Sequence, residues 1–180
     1  MSPPVFVTGL PRSRTSWFTT FLLLCGVRCP HELTVESHEK MRSRDDFYRA
    51  VNSFDGTCDP YLPWTDFHEH WPTAKIVTIH RSLYDSAKSI MDSHGDLVSI
   101  PMHQKWMERA ASLPGLHVQY AEIEARIPEI CDYLGVEFPR EDYKVIRGLN
   151  VQDRRAGSLL ELFNVWGIDY SQFLETNDGG

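Results

Sequence analysis

The sequence predicts an α/β fold with a central parallel sheet, and three observations carry that prediction. "PVFVTG" (residues 4–9) and "AKIVTIH" (residues 74–80) are short apolar runs of buried-strand length. Each runs straight into a polar, cation-bearing segment and then into residues with helical patterning. Strand and helix alternate along the rest of the chain, the pattern that layers helices on a parallel sheet. The chain has 180 residues, 42% hydrophobic and 24% charged, enough for one domain with a sizeable core. That domain is assigned to residues 1–176, with "NDGG" (177–180) as a loose tail.

The elements follow in order. Residues 4–9 form a strand closed by a glycine turn signal. Thr15–Leu24 suits a helix packed on its neighbours and ended by Gly26. "VRC" (27–29) reads as a second short strand, followed by a loop holding His31 and Glu32. "SHEKMRSRDDFYRAVNS" (37–53) is charged with spaced apolar residues, consistent with an exposed amphipathic helix. "GTCDPYLPW" (56–64) reads as a brief strand leading into a proline-rich loop. After the strand at 74–80, "RSLYDSAKSIMDSH" (81–94) starts a helix, with Ser82 and Asp85 as a capping-box pair. Residues 101–113 form a further helix and "LHVQY" (116–120) a strand. "IPEICDYLG" (127–135) forms a short helix stopped by Gly135. The last forty residues read as mostly helical.

Composition excludes several classes. A formal net charge of −7 argues against a general nucleic-acid binder, so local basic clusters stand out. "FTTFLLLCGV" (18–27) is too short to span a bilayer and reads as a buried helix. Cys25, Cys29, Cys58 and Cys131 show neither disulfide-framework nor zinc-site spacing. Reduced thiols in a cytoplasmic protein without a metal are the expectation.

Ligands of parallel α/β sheets bind beyond the carboxyl ends of strands. Residues 9–17 and 80–89 leave two such ends. In the first, amides at a helix N-terminus face an anion, flanked by the hydroxyls of Ser13, Thr15 and Ser16, and Arg12 adds a charge-assisted contact. In the second, Arg81 leaves the strand as a cation and Ser89 follows two helical turns later. The alternative for either loop alone is a solvated turn with capping hydroxyls. The ATP-type loop G-x-x-x-x-G-K-[ST] fails here, because it puts its second glycine at Arg14 and its lysine at Thr15.

"PRSRTSW" (11–17) together with "RSLYDSAKS" (81–89) resembles the sulfotransferases that use 3′-phosphoadenosine-5′-phosphosulfate (PAPS). Their 5′-phosphosulfate loop reads P-[KR]-S-G-[ST]-[ST]-W. Their 3′-phosphate signature sets arginine at a strand end, aspartate four later and serine eight later. The resemblance implies a three-layer P-loop NTPase-like fold with a central parallel sheet flanked by helices. It implies that Arg12, Ser13, Thr15 and Ser16 hold the 5′-phosphosulfate and that Trp17 packs on adenine. By the same resemblance Arg81 and Ser89 bind the 3′-phosphate, Asp85 is structural, and Tyr120 contacts adenine. "DRRAG" (153–157) is similar to a 3′-phosphate clamp, through Arg154 and Arg155. Arg14 stands where that family has glycine. It either meets a backbone position suited to glycine or adds a cation to the sulfonate.

Sulfuryl transfer needs a base for the acceptor's proton. The loop after 27–29 offers Glu32 first and His31 second; Asp59, in "DPYLP", is a nearby carboxylate where the family has a T-H-L-P histidine. His68, His70, His94 and His103 are assigned to surface or packing. Tyr61, Trp64, Phe67, Trp71 and Trp106 either line an acceptor pocket or belong to the core. The expected partner is a small acceptor with a hydroxyl or amine, without nucleic acid or membrane; the oligomeric state stays open. A nucleotide-dependent kinase and a non-catalytic nucleotide-binding module are the alternatives.

Overall fold

A computed structural model describes residues 3–37, 40–94 and 98–147. The central sheet contains β1 (Val5–Gly9), β4 (Gly56–Cys58), β5 (Lys75–His80) and β6 (Leu116–Gln119), in the order β4-β1-β5-β6. Every neighbouring pair is parallel, with Val7 opposite both Cys58 and Val77. Alternation along the strands divides the core in two. Val5, Val7, Val77, Ile79 and Val118 pack with Phe18 and Phe21 of α1 (Thr15–Leu24) and Ile127 and Ile130 of α6 (Ile123–Leu134). Phe6 and Ile76 point the other way. They meet Phe47 and Val51 of α2 (Arg44–Asn52), Phe67 of α3 (Phe67–His70) and Leu113, just past α5 (Ile100–Ala111). The result is a mixed α/β domain with helices on both faces of a parallel sheet.

From β1 the chain steps outward to β4, then returns past β1 to β5. The strand order therefore reverses between β1 and β5, and the crevice beyond their carboxyl ends is the favoured ligand position in such sheets. Gly9 ends β1 where a Cβ would meet Ile79 O at 2.4 Å, so only glycine lets the two strand ends approach this closely.

The helix at Thr15–Leu24 lies where the sequence puts it, as do the strands near 4–9, 56–58, 74–80 and 116–120. Ser82 caps α4 (Leu83–His94) as expected, accepting from Asp85 N at 3.0 Å and donating to its carboxylate at 2.6 Å. Three expectations are corrected. "VRC" forms no strand. The chain beside it still runs along β4, with Cys58 N donating to Pro30 O at 3.0 Å and one parallel bridge between His31 and Cys58. Pro30 has no N–H to extend a ladder. The helix expected over 37–53 begins only at Arg44. Before it come β2 (Val35–Ser37) and β3 (Lys40–Met41), antiparallel, and Ser43 caps α2 by accepting from Asp46 N at 3.2 Å. Finally, α6 starts at Ile123 rather than Ile127 and carries Pro128 inside. Ile123, Ile127, Ile130 and Leu134 are all buried at helical spacing, so packing outweighs the lost hydrogen bond. Gly135 ends the helix in the left-handed region, φ 73°. α7 (Arg140–Ile146) is the last described element; the remainder of the expected helical C-terminus, with Arg154 and Arg155, lies outside the described residues.

All four cysteines are free. Structure pairs them where spacing does not, thiol to thiol, as Cys25 with Cys131 and Cys29 with Cys58. No described helix is long and apolar enough to cross a membrane, and among the described residues no cluster suits a metal ion.

Candidate functional site

The loop between β1 and α1 turns through two left-handed residues, Arg12 (φ 68°) and Arg14 (φ 64°), with Ser13 between them. Alternating backbone handedness curls successive amides toward one side and makes an anion-binding concavity. The amides of Thr15, Ser16 and Trp17 open α1 and have no preceding turn to donate to. Two contacts from the β5 side fix the opposite face of the loop. Ser86 Oγ donates to Pro11 O at 2.7 Å, and Arg81 Nη1 donates to Arg12 O. Because each peptide is planar and trans, anchoring those carbonyls turns the following amides away from α4.

Arg12 and Arg81 come from two strand ends into one cleft of about 340 Å³, shared with Ser89, Lys88, Asp85 and Asp92. Arg12 Nε donates to Ser89 Oγ at 3.2 Å, although the two residues are 77 positions apart. Both carboxylates on the cleft wall are engaged, Asp85 by Ser82 at 2.6 Å and Asp92 by Lys88 at 2.5 Å. Burial, and then the Arg81 cation, push the Arg12 guanidinium below its ordinary pKa. Arg81 Nε is buried without a hydrogen-bond partner, as is the hydroxyl of Ser13. Two like charges, one of them with its buried Nε unpartnered, are costly side by side, and an anion in the cleft would offset both. The end of β5 is held by His80, whose Nε2 lies 2.7 Å from His117 Nδ1 with the rings stacked. Burial and the neighbouring imidazole hold His80 below the usual histidine range.

Tyr120 stands beside this cleft. The Arg81 guanidinium lies over its ring at 4.4 Å and that of Arg14 at 5.3 Å. Position 14 does take the left-handed backbone that suits glycine. Its side chain reaches Tyr120, the Trp17 ring at 5.8 Å and Glu124 at 3.6 Å.

His31 joins the loop from the other side. Its Nε2 is 3.0 Å from Thr15 Oγ1 and 3.1 Å from Ser16 Oγ, and its Nδ1 is 3.6 Å from Glu32 Oε1. Burial lowers its pKa to about 4, so the imidazole is neutral at pH 7. Glu32 is also left-handed, φ 57°. Arg12, Arg14 and Glu32 are the only non-glycine residues with positive φ among those described, and all three belong to this site. Such strain persists where the surroundings impose it, and it gathers at functional sites.

Two expected site residues stand elsewhere. Trp17 is 2% exposed, stacks on Phe21 at 5.3 Å and donates from Nε1 to Ile146 O at 2.9 Å. Its apolar ring is core, and no open face remains for adenine. Asp59 is fully buried: Oδ2 accepts from Thr34 N and Thr34 Oγ1, both at 2.7 Å, and Oδ1 from Tyr61 N at 2.8 Å. It ties the loop after β4 to the loop after His31. Burial raises its pKa against these three hydrogen bonds. Of the five aromatics considered for a pocket, Phe67 and Trp106 are buried, Trp71 packs on the core, and Trp64 lines a cavity. Sequence reading missed Ser86, whose contact with Pro11 is set by packing of α4 rather than by any motif. No family model and no curated protein matches the chain.

Proposed function

We propose that this protein is a sulfotransferase that moves a sulfuryl group from PAPS to a hydroxyl or amine of a small acceptor. The observation that carries this reading is the cleft in which Arg12, Arg81 and Ser89 converge, two cations without a carboxylate partner among the described residues, beside a curled loop of amides. A nucleotide with anionic groups at both its 5′ and 3′ positions answers both features. The finer fold assignment, a three-layer P-loop-like domain, belongs to the same proposal. It is supported by the loop after the interior strand β1 turning directly into α1.

In this reading the amides of residues 14–16, the hydroxyls of Ser13, Thr15 and Ser16, and Arg12 hold the 5′-phosphosulfate. Arg81 and Ser89 hold the 3′-phosphate. Bound PAPS supplies the activated sulfuryl group. The acceptor oxygen or nitrogen bonds to sulfur as the bond to the phosphate oxygen breaks. Arg12 meets the charge that develops on the phosphate, and the acceptor's proton passes to the His31–Glu32 pair. His31, kept neutral, accepts it, and Glu32 stabilises the imidazolium. Trp17 takes no part, being core; Tyr120 is the aromatic at the cleft.

Calorimetric titration with the product nucleotide 3′-phosphoadenosine-5′-phosphate (PAP), with ADP and 5′-AMP as controls, tests the reading. Micromolar PAP binding with much weaker ADP is expected. Equal or tighter ADP binding turns the reading to a nucleotide-dependent kinase, and no binding at all reduces both loops to ordinary turns.

A further inference from the structure

We infer that a second cavity, on the α2/α5 face of the sheet, binds a small organic anion with a flat apolar group, and that it receives the acceptor. The cavity has a volume of about 590 Å³, within the range of small-molecule sites, and is lined by Thr34, Arg42, Trp64, His68, Arg109 and Leu113 among others. On a chain of net charge −7 it gathers three arginines, since Arg44 also lines it. Arg44 is already paired with Asp66 at 3.6 Å, and Asp66 also accepts from the Tyr48 hydroxyl at 2.5 Å. The other two are not neutralised in this way. Arg109 lies over the Trp64 ring at 4.5 Å and, among the described residues, donates to Pro63 O at 3.4 Å. Arg42 Nε and His68 Nδ1 are buried without hydrogen-bond partners. Glu36 and Asp46 feel the charge of Arg42 but are themselves held by Lys40 at 2.6 Å and Arg49 at 2.5 Å. Glu69, on the rim, is exposed to solvent.

Two available guanidiniums, one with its buried Nε unpartnered, call for an anion. Trp64, Phe47 and Leu113 on the same wall call for an apolar body. The cavity also lies close to the transfer site. Thr34 is three residues beyond His31, and consecutive Cα atoms are 3.8 Å apart, so their Cα atoms are at most about 11 Å apart. Val35 N donates to Glu32 O at 3.3 Å, which folds that stretch into a turn, and Asp59 clamps Thr34 in place. The acceptor role rests on the sulfotransferase reading; the binding of an anion does not.

The full-length chain is titrated with 4-hydroxyphenylacetate and phenyl phosphate, and with uncharged 4-hydroxyphenylethanol, alongside PAP. Both anions are expected to bind at least about tenfold more tightly than the alcohol, and to shift the indole N–H resonance of Trp64, assigned with Trp64→Phe. Arg42→Gln and Arg109→Gln should each cost about tenfold in anion affinity, Arg42→Lys should retain most of it, and PAP affinity should stay unchanged. The inference is overturned if neither anion binds at millimolar concentration, or if the alcohol binds as well as they do on the wild-type chain. PAP binding without anion binding removes the cavity site and leaves the nucleotide reading standing. Anion binding without PAP binding keeps the site and removes its acceptor role.

Discussion

The loops that leave β1 and β4 start from neighbouring strands at the same end of the sheet, yet they are finished in opposite ways. After β4, Asp59 is buried and accepts three hydrogen bonds from Thr34 and Tyr61, so its charge is met inside the protein. After β1, two residues hold left-handed backbone, Arg12 is crowded by Arg81 from the end of β5, and the Ser13 hydroxyl is buried without a partner. A loop completed by its own hydrogen bonds supports a site. A loop left strained and like-charged is arranged for something that arrives from outside. Burial alone does not separate the two, because Ser13 and Asp59 are equally inaccessible; partnership does.

The sharpest way to break this comparison is to remove the internal partner. Asp59→Ala leaves three donors without their acceptor, two of them buried, and a loss of about 3–5 kcal/mol in unfolding free energy is expected, read by urea denaturation. PAP affinity of the folded fraction should move less than about twofold, because Asp59 supports the loops without facing the cleft. Intact stability with lost PAP binding would place Asp59 among the ligand contacts and collapse the distinction.

Arg81→Ala is the converse. PAP affinity should fall about 100-fold, the worth of a charge-assisted phosphate contact in a partly buried cleft. Stability without ligand should change far less than in Asp59→Ala, because removing one of two crowded cations offsets the lost bond to Arg12 O. Calorimetry and denaturation on the same variant separate the two effects.

Much of this was legible in the sequence, for physical reasons that differ by region. Strands buried on both faces read as apolar runs, so β1 and β5 and the helices that follow them stood out. The candidate residues Arg12, Ser13, Thr15, Ser16 and Arg81 follow directly on two adjacent strand ends, and Ser89, two turns into α4, is brought to Arg12 by the packing of that helix. What the sequence did not show were orientation and partnership. Trp17 occupies a motif position, but its place on the inward face of α1 follows from packing against Phe21 and Ile146. The burial of Asp59 depends on Thr34, 25 residues away. The cavity arginines, Arg42 and Arg109, come from separate elements and form no local pattern. Residues 37–53 carried enough spaced apolar side chains to imitate one helix, while the S-x-x-D signature at Ser43–Asp46 marked the true start.

A smaller effect sharpens the comparison through pH. Burial holds His31 neutral down to about 4, well below an unfolded histidine near 6.5. Between those values the unfolded chain binds a proton that the folded one refuses, so stability is full above pH 6.5 and declines as pH falls toward 4. The slope from this group reaches at most about 1.4 kcal/mol per pH unit, and His31→Gln should flatten part of the profile. His80 is shifted in the same direction, so some slope will remain. An anion bound beside Thr15 and Ser16 raises the pKa of His31, so PAP titrations near pH 5 in buffers of different ionisation enthalpy should show proton uptake.

The smallest expected effect separates strain from charge within the β1 loop itself. Arg12 and Arg14 share nearly the same backbone, φ 68° and 64°, but only Arg12 lines the cleft. Glycine at either position relieves left-handed backbone, a gain of about 0.5–1 kcal/mol before side-chain contacts are counted. In Arg14→Gly the lost contacts are a half-exposed ion pair with Glu124 and distant ring faces, so stability should rise slightly and PAP affinity fall less than about threefold. In Arg12→Gly the same relief comes with loss of the cleft guanidinium, and PAP affinity should fall at least about tenfold. Equal losses of affinity in the two variants would mean that Arg14 turns from Tyr120 to the ligand on binding. The arginine that stands where the resembling family has glycine would then be a third cation for the anion rather than a tolerated strain.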